Sequence, residues 1–271
     1  MTELITTHTH TNFCGHATGS IHDMVNAAQA AGITTMAITE HYPLTPHFDP
    51  HDYISMHKDR VNEYIQTIDN ERRAHSSMDI LTGCELDWLG DSEDRTISNE
   101  DLKPFDVILG SVHFVDQWAF DDPEQRHHWD DVGVDEIWKR YFEIWCEAAS
   151  SDRPFTIMSH PDLVKKFGYR PTYDPQPLYD QAAEAAMAGH RLIELNTSGA
   201  YYACKEVFPA PNLLKAFCHA GVPATVGTDA HQVETVARDI KSAYKDLYEA
   251  GYRELTVPTH SGDFRKIPLD D

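Results

Sequence analysis

The chain has 271 residues, 41% of them hydrophobic and 24% charged, and a formal net charge of −22. Such a length and composition suit a soluble globular protein with a large core, and the charge argues against nucleic acid as a partner, because a phosphate backbone needs a basic surface. No apolar run approaches the roughly 20 residues that span a bilayer, and Met1-Thr2-Glu3 has neither the basic flank nor the apolar stretch of a signal peptide.

There is no Pro/Gly/Ser linker, low-complexity tract or internal repeat, so residues 1–271 read as one domain. Leu4 to Thr9 predicts a first strand. Ser20 caps a helix to about Ala31, stopped by Gly32. Thr34–Thr39 predicts a second strand and about Tyr53–His75 a long polar helix. Asp79–Glu85 and Val107–His113 follow as strands, then a helix over about Val134–Ser150. Phe155–Ser159, Leu192–Asn196 and Thr225–Thr228 complete seven strands. Helices at about Leu178–Ala188, Asn212–His219 and Val233–Ala250 separate or follow them. Strands alternating with helices imply parallel βα units, and seven suit a TIM-like barrel with one strand missing. Thr256 to Asp271 carries no readable role. The five cysteines (Cys14, Cys84, Cys146, Cys204 and Cys218) form no CxxC pair, which fits reduced thiols in a cytoplasm.

What closes each strand is the informative feature. The first ends in His8-Thr9-His10, the second in Glu40-His41, the third in Glu85, the fourth in His113 and the fifth in His160. The sixth ends in Asn196 before Thr197-Ser198-Gly199, and the seventh in Asp229-Ala230-His231. In a parallel barrel these ends share the C-terminal face, where barrel active sites are built. His8 and His10, two apart on a strand, point to one side. Singly, each histidine reads as a satisfied polar cap as readily as a ligand, but accidents would scatter such residues rather than gather them at one end. His16, in the loop after the first strand, joins the set by proximity. His47 and His51 are candidates for the rim. The other histidines, in helices or loops, read as surface or structural.

The segments HTHTNFCGHATG, ITEHYPL, GCELDW, ILGSVHF, MSHPDLVKK, IELNTSG and VGTDAH together resemble the polymerase and histidinol phosphatase (PHP) superfamily, in its histidinol-phosphate phosphatase branch. The resemblance runs from about Thr7 to about Gln232. It implies a distorted (β/α)7 barrel and three divalent metals, zinc, manganese or iron in view of the mainly imidazole donors. By motif position the first metal takes His8, His10, Glu85 and Asp229. The second takes Glu85 as a bridge, with His113 and His160, and the third takes His16, His41 and His231. The implied reaction is phosphomonoester hydrolysis in histidine biosynthesis, L-histidinol phosphate giving L-histidinol and phosphate, with a metal-bridging hydroxide attacking phosphorus. Asp229 or His231 is the candidate proton donor to the leaving alkoxide, beside the bridging Glu85. The alternative is another PHP phosphoesterase acting on nucleotides or other small phosphate esters.

One position departs from the branch. An arginine that holds phosphate is expected shortly after the Thr197-Ser198-Gly199 turn, and Tyr201 stands there instead. The expected clamp is therefore drawn from Ser198, Lys165, Lys166, Arg170 and Lys205. Asp87, Asp116 and Asp121 are the acidic candidates for a cationic amine on the substrate.

Overall fold

The computed structural model describes residues 3–90 and 97–270. Seven parallel strands form one sheet in the order β1 (Leu4–Thr6), β2 (Ile33–His41), β3 (Asp79–Asp87), β4 (Val107–Ser111), β7 (Ile157–Met158), β8 (Leu192–Asn196) and β9 (Ala224–Gly227). A small hairpin, β5 (Phe114–Val115) with β6 (Trp118–Ala119), follows β4. The two outer strands meet. Thr7 N–H donates to the Val226 carbonyl (2.9 Å), Asp229 N–H to that of His8 (3.0 Å) and His10 N–H to that of Ala230 (2.9 Å). These bonds join the two outer strands into a nearly closed TIM-like barrel.

Eight described helices punctuate the strands: α1 (Ile21–Ala30), α2 (Val61–Ala74), α3 (Asn99–Leu102), α4 (His128–Val132), α5 (Val134–Ser150), α6 (Gln176–Ala188), α7 (Pro211–Ala220) and α8 (Ile240–Ala250). Helix α1 starts where Ser20 and Asp23 form a reciprocal capping box, and Gly32 follows it at φ +83°. The helix expected from Tyr53 begins only at Val61. Asp49 collects the backbone N–H groups of Tyr53, Ile54 and Ser55, each at 2.9 Å, and so holds the intervening segment in a loop. The last helix likewise starts at Ile240 rather than Val233, because Asp239 turns left-handed at φ +59°. None of the described helices is long and apolar enough to cross a membrane.

The period of two along each strand lays out the barrel interior. Ala37, Leu81, Val107, Leu109, Ile157 and Leu192 form a buried apolar plug of their own. Two residues further along the same strand faces stand Thr39, Gly83, Ser111, Ser159 and Glu194, and beyond them His41, Glu85, His113 and Asn196. The lower half of the lumen is hydrocarbon and the upper half is polar. Register completes the arrangement, since His41 pairs directly with Glu85 across β2 and β3.

The C-terminal segment has a structural task. β10 (Glu254–Pro258) and β11 (Phe264–Pro268) form an antiparallel hairpin that buries Leu255, Val257 and Ile267 in the main core. Arg265 binds Glu3 and Thr35, and His260 binds Asp106 and Asp79, all near strand starts. The hairpin therefore seals the end of the barrel opposite the polar one. Leu255→Ala, at a fully buried position, is expected to lower unfolding free energy by about 2–5 kcal/mol in urea denaturation while leaving metal content unchanged.

Candidate metal centre

Glu85 projects from β3 into the middle of the polar end and is 1% exposed. Its two oxygens face different partners. Oε2 lies 3.3 Å from His8 Nε2, 3.3 Å from His10 Nε2 and 3.1 Å from His41 Nδ1. Oε1 lies 3.0 Å from His160 Nε2 and 3.5 Å from His113 Nε2, and accepts a 2.7 Å hydrogen bond from Ser111 Oγ. Asp229, just past β9, places Oδ1 3.6 Å from His8 Nε2, 3.4 Å from His10 Nε2 and 3.5 Å from His231 Nδ1. His231 Nε2 in turn meets His16 Nε2 at 3.1 Å. All nine residues singled out in the sequence converge here.

Two of them sit on unusual backbone. His160 has φ +24° and Asp229 φ +49°, a region that non-glycine residues enter at a cost and keep mostly at functional sites.

Buried carboxylates behind the imidazoles fix their orientation. Glu194 Oε1 lies 2.9 Å from His8 Nδ1, and its Oε2 accepts the His160 backbone N–H at 2.9 Å and Asn196 Nδ2 at 3.0 Å. Asp87 Oδ1 lies 2.7 Å from His113 Nδ1. Glu40 accepts the N–H groups of Thr11 (2.8 Å) and Cys14 (3.1 Å) and stands 3.7 Å from His10 Nδ1. Glu194 and Asp87 turn the His8 and His113 rings so that the other nitrogen faces the centre. Gly227 makes room for this layer, because a Cβ there would lie 1.7 Å from Glu194 Oε1 and 2.6 Å from His8 Cβ.

The electrostatics divide the cluster. Burial would depress the His8 imidazole, but the carboxylates of Glu194, Asp229 and Glu85 outweigh it and carry it up to about 10. His113 follows the same balance, with Asp87 and Glu85 raising it to about 10, and His10 is also raised. Burial, aided by the charge on His10, pushes His231 down to about 3 and also lowers His16; burial foremost lowers His41. Burial would raise Glu85 and Asp229, yet the surrounding imidazoles hold both well below the carboxylate range.

The donor set fits a divalent metal. The triads His8/His10/Asp229, His8/Glu85/His160, His41/Glu85/His113 and His10/His41/His231 each bring their donor atoms within 4.8 Å of one another. Buried His10 Nδ1 and His41 Nδ1 have no hydrogen-bond partner, and the Nε2 atoms of His8 and His10 face each other at 3.0 Å. His41 stands between two groupings, reaching Glu85 as well as the set containing His231.

The PHP domain model matches residues 6–198. The chain belongs to the PHP domain family. A Deinococcus radiodurans protein described as a probable histidinol-phosphatase is 31% identical over 258 residues, covering 94% of this chain and 97% of its own. A Schizosaccharomyces pombe protein of the same description is 24% identical over 275 residues, covering 93% and 89%. The crystal structure of histidinol phosphate phosphatase from Lactococcus lactis, complexed with zinc, L-histidinol and phosphate, superposes with a TM-score of 0.79 at 21% identity, covering 97% of this chain and 99% of that one. That likeness establishes the shared barrel.

The expected phosphate clamp needs correction in this PHP barrel. Lys165 is fully buried and its ammonium is consumed by Asp162 (2.9 Å), Glu206 (2.8 Å) and the Val207 carbonyl (2.7 Å). It is a structural ion pair and cannot reach a substrate. Arg170 is exposed and binds the same Glu206 at 3.0 Å, and Lys205 is exposed and touches no member of the cluster. Ser198 and Lys166 do lie at the centre. Ser198 Oγ approaches Asp229 Oδ2 at 3.3 Å, and Lys166 Nζ binds Asp121 at 2.8 Å. Of the acidic candidates, Asp87 is committed to His113, Asp116 is paired with Arg140, and Asp121 lies within electrostatic reach of both His113 and His160. Glu194 escapes sequence reasoning, since one acid inside an apolar strand gives no sign of what it orients, whereas Glu40 stands in the Glu40-His41 strand end but received no role there. His47 meets Gln117, and His51 is exposed.

Two outcomes follow from this geometry. Glu194→Gln is expected to weaken metal affinity roughly 10–100-fold in competition with a chelator, with the fold retained by circular dichroism. Metal ligation needs neutral imidazoles, so loading at pH 7 is expected to release protons from His8, His10 and His113, and affinity is expected to weaken as pH falls. An indicator-dye titration that detects no proton release would contradict the charge state described.

Proposed function

We propose that the chain is a metal-dependent phosphomonoesterase that hydrolyses L-histidinol phosphate to L-histidinol and phosphate, a cytoplasmic step of histidine biosynthesis. The observation that carries the reading is Glu85, whose two oxygens address two separate histidine sets from one buried carboxylate. The relatives' names and the ligands of the Lactococcus structure supply the substrate. Three divalent ions are proposed, zinc, manganese or iron. His8, His10, Glu85 and Asp229 would hold the first; Glu85, His113 and His160 the second; His16, His41 and His231 the third. Predominantly imidazole donors suit those metals rather than calcium or magnesium.

Bound divalent ions supply an activated water and neutralise charge gathering on the phosphoryl oxygens. The chain's own groups do the rest. Glu194 and Asp87 keep the His8 and His113 imidazole nitrogens aimed at the centre. Asp229 and His231 are both unprotonated at neutral pH in the metal-free chain, which favours them as ligands and acceptors over a standing proton donor. His231, with 27% of its side chain exposed, is the member placed to relay a proton between solvent and the leaving oxygen. Ser198 and Lys166 face the phosphoryl group, and the Asp121 carboxylate beside Lys166 is placed to attract the substrate's amine.

Metal-loaded protein is expected to release phosphate from L-histidinol phosphate with a kcat/KM at least about a hundredfold above that for aryl phosphates and nucleoside monophosphates. A flat substrate panel would remove the specific assignment and favour a different phosphoesterase. Glu85→Ala should cost more than the roughly 10–100-fold that losing an outer partner costs; full activity in that variant would overturn the bridged-metal reading.

A further inference from the structure

The cations nearest the centre are already claimed. Lys165 is bound to Asp162 and Glu206, Arg170 to Glu206 and Lys166 to Asp121. Arg238 differs. Its guanidinium carbon lies 3.7 Å from the centroid of the Tyr201 ring, and its Nε is buried without a hydrogen-bond partner. Among the described residues no carboxylate stands at ion-pair distance from it. In a chain of net charge −22, a half-buried guanidinium that no described carboxylate binds as an ion pair is conspicuous. Arginine's planar fork matches the oxygens of a phosphate monoester.

Its mounting is also specific. Asp239, the next residue, takes the Tyr201 hydroxyl at 2.6 Å, so the acid holds the ring and leaves the guanidinium free. The turn that carries Tyr201 is pinned on both sides. Thr197 Oγ1 donates to the Arg238 carbonyl at 2.9 Å, while Ser198 Oγ and Asn196 Nδ2 reach Asp229 Oδ2 at 3.3 and 3.4 Å. The adjacent Tyr202 feels Lys166, Asp229, Asp121 and Arg238 together. The Arg238 backbone thus braces the same turn whose Ser198 and Asn196 side chains reach Asp229.

We propose that Arg238, held flat on Tyr201, binds the substrate's phosphoryl group together with Lys166. The guanidinium reaches the site from the loop after β9, and Tyr201 is its platform. This rests on the phosphomonoesterase reading above, though not on histidinol as the organic half of the substrate.

The test uses metal-loaded full-length protein with L-histidinol phosphate, p-nitrophenyl phosphate and inorganic phosphate as an inhibitor. Arg238→Gln is expected to raise KM for both esters and Ki for inorganic phosphate roughly ten- to hundredfold, the worth of a lost charge-assisted contact, with metal content and urea midpoint kept. Tyr201→Phe keeps the stacking ring and should stay within about threefold of the parent, while Tyr201→Ala should move the same constants in the direction of Arg238→Gln. A phosphate Ki within twofold of the parent in Arg238→Gln overturns the proposal. If that variant fails to fold, Arg238→Lys and Tyr201→Ala decide it, and unchanged Ki in both overturns it equally. Should L-histidinol phosphate prove a poor substrate, the inorganic phosphate and aryl phosphate constants still judge Arg238. Should no ester be cleaved, calorimetric binding of inorganic phosphate to parent and Arg238→Gln reads the same loss.

Discussion

A carboxylate that is 1% exposed can stay ionised only if the surrounding fold supplies compensating charge or donors from several directions. Glu85 is that carboxylate, and much of the barrel meets its demand. β1 and the chain just beyond it bring His8 and His10, β2 brings His41, the segment after β4 brings His113 and that after β7 brings His160. No two of those elements beyond the His8/His10 pair are local in sequence, so the site exists only when the sheet has closed. The bonds joining β1 to β9 are therefore part of the site as much as of the fold. They set Asp229 against His8, with the Asp229 N–H bonded to the His8 carbonyl.

The same strands explain why the lower and upper lumen differ. Period-two alternation sends Leu81, Gly83 and Glu85 to one side of β3, and Leu192, Glu194 and Asn196 to one side of β8. Hydrocarbon fills the bottom, where the β10/β11 hairpin seals it. Small or absent side chains occupy the middle, notably Gly83 and Gly227. Gly227 shows how tightly fold and function are coupled: the carboxylate that orients His8 lies where a Cβ would be. An alanine there would disturb packing and ligand orientation in one step, so the two effects cannot be assigned to separate layers of the protein.

The strand-end pattern was legible because a ligand must sit at the C-terminal face and six different strands independently place one there. The eight ligand candidates at those strand ends converge, and His16, drawn in by its proximity to His8 and His10, joins them through His231. Less legible was anything decided by angular phase or by a loop. Lys165 and Lys166 are adjacent and chemically alike, and only the short helical turn over Leu163–Lys165 determines that the first is buried on Asp162 and the second faces Asp121. The start of α2 was displaced because one acid, Asp49, gathers three backbone N–H groups, a local competition that hydrophobic periodicity does not record. The C-terminal hairpin was silent for a similar reason: β11 is largely exposed, so its alternation is weak.

The surface charge leaves one problem that the site itself must solve. A net charge of −22 repels a phosphate dianion at distances beyond the roughly 8–10 Å over which salt screens. Close in, the sign has to reverse. Divalent metal held by this donor set would do most of this, with the buried carboxylates of Glu85 and Asp229 offsetting part of its charge. Lys166 is partly neutralised by Asp121. A guanidinium that no described carboxylate binds as an ion pair is therefore worth more to an incoming phosphate than another paired cation would be, since its donors are not already taken. Stacking on Tyr201 adds a second advantage, because the ring fixes the fork without competing for its donors. On this proposal Tyr201 serves the phosphate site as the surface that carries Arg238.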